Sequence, residues 1–201
     1  MNNHHYYSKS QEGLESNPDK FVFHFKEHKF VFHTDCGVFS KNYIDYGSFV
    51  MLKSFEPNGL DYPILDMGAG YGPIGIVVSV LYNKPTAMCE INERAYQLCQ
   101  KNILENHADK AEAYHCNLYE GVKDRLFSSI ITNPPIRAGK QVVYAIYDGA
   151  YHHLVSGGEL WVVIQKKQGA PSSKAHLEEL FGNCTVVSKD KGYYILKCVK
   201  A

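Results

Sequence analysis

The spacing of hydrophobic and polar residues divides this chain into two regimes. Between residues 21 and 33, aromatic and branched residues alternate with polar ones in FVFHF and KFVFH, around the polar quartet Lys26-Glu-His-Lys29. That pattern predicts a β-hairpin. A helix is expected over 45–55, ended by Pro57-Asn-Gly59. From residue 62 onward, short apolar runs alternate with helical stretches. Strands are predicted over 63–66, 86–90, 111–116, 126–132 and 159–165. Helices are predicted over 73–82, 92–106, 139–154 and 173–181, the third of them stopped by Ser156-Gly-Gly158. Two last strands, 184–188 and 193–199, are joined by Lys189-Asp-Lys-Gly192, too short for a parallel crossover, so they run antiparallel. The expected fold class is therefore α/β: a Rossmann-like, doubly wound, seven-stranded sheet, mostly parallel with an antiparallel last strand. A small N-terminal β-hairpin extension precedes it. Residues 1–19 read as a mobile N-terminal segment and 20–201 as one domain, with 20–60 forming the hairpin and helix extension.

Composition narrows the class. The chain has 201 residues, 45% of them hydrophobic, which suits one globular domain. No apolar run is long enough for a transmembrane helix. The segment from Met1 to Pro18 lacks an apolar signal core, so a cytoplasmic protein with no membrane partner is expected. Six cysteines (Cys36, Cys89, Cys99, Cys116, Cys184, Cys198) form no C-x-x-C pair, which speaks against zinc and against a disulfide framework. The adjacent pairs His4-His5 and His152-His153 do not share a face of a helix or strand, and no metal is expected. Net charge is +0, so any contact with nucleic acid must come from a local patch.

The most informative stretch is 64–75, ILDMGAGYGPIG. Gly70-x-Gly72-x-x-Gly75 formally matches the dinucleotide fingerprint. Asp66, however, ends the strand two residues before Gly68, where a pyrophosphate would meet a like charge. A cationic ligand would instead be stabilised there. Glu90 ends the next strand, where an acid can accept from both ribose hydroxyls of an adenosine. The plainer reading makes Asp66 a cap of the following turn and Glu90 a surface acid. Asn117, after the third strand, can accept from an adenine amino group and donate to a ring nitrogen, or it can simply form a turn.

Asn133-Pro134-Pro135-Ile136 falls at the end of the fourth strand, on the crevice edge opposite the glycine loop. An exocyclic amine on a base is a poor nucleophile, because its lone pair is delocalised into the ring. The Asn133 side-chain oxygen and the Pro134 carbonyl could hold both amine hydrogens and aim the nitrogen, on a turn that proline makes rigid. Asn-Pro can also do no more than end a strand.

The D-x-G-x-G-x-G loop resembles motif I of class I methyltransferases, and Asn-Pro-Pro-Ile resembles motif IV of the enzymes that methylate amino groups. Gly37-Val-Phe-Ser40, Asp45-Tyr-Gly-Ser48, residues 159–171 and Lys189-Asp-Lys-Gly-Tyr-Tyr194 are similar to the small-subunit ribosomal RNA guanine-N2 methyltransferases, and the resemblance implies that the first two segments cover the cofactor and help form the acceptor pocket. The likeness runs from about Phe21 and is strongest to a compact single-domain bacterial member; it matches only the catalytic half of longer members. The resemblance implies S-adenosyl-L-methionine as cofactor, bound by Asp66, Gly68, Ala69, Gly70, Gly72, Glu90, Ile91, Asn117, Leu118 and Phe39. It implies transfer at Asn133, Pro134, Pro135 and Ile136, with ribosomal RNA or the small ribosomal subunit as partner. Ile136 stands where many adenine and glutamine-amide enzymes carry a ring. Arg137, Lys140, Lys166 and Lys167, with Lys174 nearby, follow strand ends and could contact phosphates, or form an ordinary solvated rim. Trp161, Tyr193 and Tyr194 read as core or sheet-face residues. Protein-amide methylation, an NAD-dependent oxidoreductase and a non-catalytic cofactor-binding module are the competing readings.

Overall fold

The computed structural model describes residues 15–201. The hairpin forms from β1 (Asp19–Phe25) and β2 (His28–Thr34), antiparallel with Phe25 opposite His28. Its turn is shorter than the sequence pattern suggests. Lys26 and Glu27 alone make it, at φ 44° and 62°, the left-handed pair that matches strand twist. The mobile segment expected over 1–19 lies mostly in residues 1–14, outside the described residues, as does His4-His5. The remainder is tied down: Ser16 Oγ and the Asn17 N–H both donate to Asp35 at 2.6 Å, and Asp19 opens β1.

After α1 (Tyr46–Ser54) come β3 (Ile64–Met67), α2 (Pro73–Tyr82), β4 (Thr86–Glu90), α3 (Glu93–Glu105), β5 (Ala111–His115) and β6 (Phe127–Thr132). The chain continues through α4 (Lys140–His153), β7 (Leu154–Gln165), α5 (Ala170–Phe181), β8 (Thr185–Asp190) and β9 (Tyr193–Val199). The main sheet has seven strands in the order β5-β4-β3-β6-β7-β9-β8. The first five are parallel, and β9 runs antiparallel to both its neighbours. This is the doubly wound sheet anticipated above. Strand order reverses between β3 and β6, so the crevice for a ligand opens beyond the C-terminal ends of those two strands.

Side-chain alternation sorts the buried residues into two layers. Ile64, Ile131, Trp161, Val163 and Ile195 pack with residues of α1, α2, α3 and the hairpin. Leu65, Met67, Ile130, Leu160, Val162 and Leu196 pack under α4 and α5. The hairpin contributes Phe25, Phe30 and Phe32 to the first layer, each worth about 1.5–3 kcal/mol when buried. Period-two alternation places Asp66, between Leu65 and Met67, on the layer with α2.

Three boundaries beyond the hairpin differ from the sequence pattern by two residues or more. β8 runs to Asp190, so Lys191-Gly192 joins it to β9 in place of the quartet Lys189–Gly192. The strand expected from residue 159 begins at Leu154, directly after α4. Gly157 (φ 75°) sits in an irregular stretch where the register against β6 shifts, and its N–H donates to the Lys200 carbonyl. The glycine pair is thus a bulge inside a strand rather than a loop before one. Helix α5 begins at Ala170 instead of residue 173, since Pro171 in the first turn is already set for a helix.

Asn102 of α3 and the helix's C-cap, Asn106, bind the outer edge of the hairpin. Asn106 Oδ1 accepts from Val31 N–H and its Nδ2 donates to Val31 O, both at 2.8 Å. Asn102 makes the same exchange with His33, at 2.7 and 3.0 Å, and also donates to the Tyr71 carbonyl in the glycine loop.

Candidate active site

The glycine loop leaves β3 through Gly68, Gly70 and Gly72, at φ 77°, 60° and 95°. Glycine takes these left-handed values without the steric cost that a side chain would add. The three positions do different work. A Cβ built on Gly68 or Gly70 would meet nothing within 4 Å, so both face open space. One on Gly72 would come 2.8 Å from Cys99 Sγ and Ile76 Cδ1, so Gly72 serves helix packing.

The two acids hold this loop in shape. Glu90 Oε2 accepts from Gly70 N–H and Oε1 from Asn92 N–H, each at 2.7 Å. Asp66 Oδ2 accepts from Gly75 N–H at 2.8 Å. The capping reading of Asp66 is therefore true as far as one oxygen goes, whereas Glu90 is buried and not a surface acid. A carboxylate oxygen that accepts one bond retains a second lone pair, so both remain available to a ligand in the cleft they line. Burial, helped by the Glu90 charge and opposed by the Gly75 N–H, pushes Asp66 up to about 7. Burial also raises Glu90, against three backbone hydrogen bonds that lower it.

Across the switch point, Met67 pairs with Thr132, and Thr132 Oγ1 donates to the Met67 carbonyl at 2.9 Å. The next residues on the two strands are Gly68 and Asn133, which sets the Asn-Pro-Pro turn beside the glycine loop. Asn133 Nδ2 donates to Asp45 Oδ2 at 2.9 Å and to Ser48 Oγ at 3.1 Å. A carboxylate accepts only, so Asp45 fixes which way round the amide lies. Asp45 is held in turn as the N-cap of α1, accepting from Ser48 N–H at 3.1 Å. Asn133 Oδ1 makes no hydrogen bond to any described residue and is left to accept. The Pro134 carbonyl accepts from Ile136 N–H at 2.9 Å, which leaves its second lone pair.

Phe39, Asp66, Gly68, Ala69, Gly70 and Glu90 share one cleft with Asn133, Pro134 and Pro135. A second chamber, of about 360 Å³, adjoins it through Phe39, Asp45, Asn133 and Pro134, and is completed by Ile136, Arg137, Gln165 and Tyr193. Lys140 stands further out, in a groove with Ile136. Lys166 and Lys167 line a separate recess with Lys191, reached past Gln165, which borders both spaces. Lys174 is paired with Glu178 on α5. Gly72, Ile91, Asn117 and Leu118 do not line the cleft. The Asn117 carbonyl accepts from Glu120 N–H at 3.1 Å, as in a plain turn.

Sequence reasoning missed three features. The pairing of Asp45 and Ser48 with Asn133 joins segments 88 and 85 residues apart. Gln165 lies within the 159–171 stretch, but no sequence feature assigned it a role of its own. Tyr193, read as a sheet-face residue, also walls the chamber; Trp161 is buried as expected. Among the described residues, no cluster of His, Cys, Asp and Glu could hold a metal ion, and no helix is long and apolar enough to cross a membrane.

A doubly wound sheet with an antiparallel final hairpin, acids at the ends of β3 and β4, and Asn-Pro-Pro across the switch point define an S-adenosylmethionine-dependent methyltransferase. The chain belongs to the methyltransferase small domain family, which it matches over residues 29–197. It is 46% identical over 198 residues to the uncharacterized protein YbxB of Bacillus subtilis, covering 98% of each chain. It is 31% identical over 179 residues to the ribosomal RNA large subunit methyltransferase G of Psychromonas ingrahamii, covering 84% of this chain and 45% of that one. The structure of the 16S rRNA N2 guanine methyltransferase RsmC of T. thermophilus, in complex with AdoMet and guanosine, superposes with a TM-score of 0.83 at 27% identity. That match covers 94% of this chain and 52% of the other. The chain thus spans nearly all of the Bacillus protein but about half the length of these ribosomal RNA methyltransferases.

Proposed function

We propose that the chain methylates the exocyclic N2 amine of a guanine in small-subunit ribosomal RNA. The observation that carries this reading is the orientation of Asn133: both bonds from its Nδ2 go to Asp45 and Ser48, and its oxygen stays open as an acceptor. The cleft suits the cofactor, because Gly68 and Gly70 face open space and two carboxylates line it. Gly68, Ala69, Gly70, Asp66 and Glu90 would hold it, with Phe39 covering. S-adenosylmethionine supplies an electrophilic methyl carbon on a cationic sulfur.

The protein orients the acceptor. Asn133 Oδ1 and the Pro134 carbonyl take the two amine hydrogens, which turns the nitrogen lone pair toward the cofactor cleft. As the new bond forms, positive charge grows on that nitrogen, which then gives up one proton to solvent. The Asp45 carboxylate behind the amide increases the electron density on Oδ1 and so stabilises the charge where it develops. Both prolines are buried, so these acceptors are preorganised. Phe39 and Tyr193 supply the rings that Ile136 does not, and Arg137, Lys140, Lys166 and Lys167 supply cations for phosphates. The guanosine bound by the Thermus relative supports guanine over an amide.

Purified protein, radiolabelled S-adenosylmethionine, and ribosomal RNA and 30S particles from cells lacking the gene provide the test. Nucleoside digestion should place the label in N2-methylguanosine. Label in a protein fraction and none in RNA would replace this reading with amide methylation.

A further inference from the structure

Gln165 ends β7 at the junction of two spaces: the acceptor chamber beside Asn133, and the recess lined by Lys166, Lys167 and Lys191. Its Oε1 is buried and has no hydrogen-bond partner among the described residues. The fold does little to use this amide, although leaving a buried carbonyl unpaired is unfavourable. Unpaired groups of this kind in native structures call for an explanation, and a ligand partner is one. The terminal torsion of a glutamine is broad, so a modest rotation turns either amide atom into the chamber.

We propose that Gln165 is the specificity-determining residue for the acceptor base, and this rests on the guanine-N2 reading above. Once Asn133 and Pro134 hold the N2 amine, the next groups along the same guanine edge are the N1–H donor and the O6 acceptor. A glutamine amide offers one acceptor and one donor side by side, the complement of that pair. The lysine recess on the other side of Gln165, about 500 Å³ in volume, fits the same ligand. The Lys166 N–H donates to the Gly192 carbonyl at 2.8 Å, which brings the Lys191-Gly192 turn against Lys166 and gathers three cations in one hollow. A nucleotide whose base enters the chamber past Gln165 leaves its backbone at this hollow, where lysines neutralise phosphates. The amide reads the base, and the lysines hold the strand.

Gln165→Leu keeps the shape and removes both hydrogen-bonding atoms. Its kcat/KM on 30S particles or ribosomal RNA should fall by about 10-fold or more, the range for losing a two-point base contact. S-adenosylmethionine affinity, measured by calorimetry, should stay within about twofold. Tm should be unchanged or higher, since a buried unpaired carbonyl is gone. A merely structural glutamine would give the opposite pattern, with Tm and cofactor affinity falling together. Gln165→Glu, which accepts but cannot donate to O6, should also lose about 10-fold on RNA and serves as the second variant if the first folds poorly. Wild-type labelling of guanine N2 with either folded variant within about twofold of wild type overturns this assignment alone. An absence of label in RNA from the wild-type protein overturns it together with the function it rests on.

Discussion

Asn133 and Asp45 meet at 2.9 Å across 88 residues of chain, so the amide that would hold the acceptor is itself aimed by a carboxylate at the head of α1. Under the proposed function Asp45 therefore has two roles, as the cap of a helix and as the group that orients the amide proposed to hold the acceptor. The roles separate by substitution. Asp45→Asn keeps a capping oxygen but no longer dictates which way Asn133 lies. Turnover should drop by about 10- to 100-fold, as for a slightly misplaced reacting group, with Tm nearly unchanged. Asp45→Ala should lose activity and also about 1 kcal/mol of stability. Steady-state kinetics and thermal melts of both variants check this.

Replacing Asn133 by alanine should lower kcat far more than it lowers S-adenosylmethionine affinity. Equal losses of kcat and affinity would place Asn133 in cofactor binding instead.

With Asp66 in the proposed cofactor cleft, binding should depend on pH. Its carboxyl is pushed up to about 7, chiefly by burial, and a cationic ligand favours the ionised form. Binding should therefore release a proton below about pH 7, and affinity should strengthen as pH rises through that value. Calorimetry across pH 6 to 8, roughly one unit either side, should show this slope in the native chain and none in Asp66→Asn. Stability of the free protein should run the other way. A folded-state value above the unfolded 3.8 means that stability is full below 3.8 and declines as pH rises toward 7.

Gly149, on α4 and not among the residues that line the cleft, gives a control for stability. A Cβ there would collide with the buried Tyr119 ring, which is stacked on His153 at 4.4 Å and hydrogen-bonded to the Ile146 carbonyl. Gly149→Ala should lose about 1–3 kcal/mol and keep its specific activity at low temperature. A melt indistinguishable from the native one would mean that the ring moves aside freely.

The lysine recess makes a statement about salt. Lys166→Ala with Lys167→Ala should weaken binding to any RNA sequence alike and flatten its dependence on salt by about one to two units of log–log slope. Fluorescence anisotropy over a salt series reads both effects.

The parts of this molecule legible in its sequence are those governed by local chemistry. Gly68 and Gly70 declare a left-handed turn, Asp66 and Glu90 stand at strand ends, and Pro134-Pro135 stops a strand, so the cleft could be located from residues alone. Elements over 73–82 and 86–90 coincide with α2 and β4 because proline, asparagine and threonine punctuate them cleanly. The site's second half rests on contacts between distant segments. The resemblance put the Asp45–Ser48 segment at the acceptor pocket but not its bond to Asn133, and Gln165 and Tyr193 become neighbours only through the pairing of β7 with β9. Gly72 looked like a ligand contact because spacing cannot tell a glycine that faces open space from one pressed against Cys99 and Ile76. Asn117 stood at the expected strand end, yet it is not among the residues that line the cleft.

Asn102 and Asn106 have a consequence beyond fastening the hairpin. Each amide presents Val31 or His33 with the paired donor and acceptor that an adjoining β-strand would offer. They work as a counterfeit strand two residues long, laid along an edge that would otherwise be a template for another chain. The β2 edge of this two-stranded sheet is thus closed against α3 without a third strand, and the aromatic face it carries stays committed to its own core.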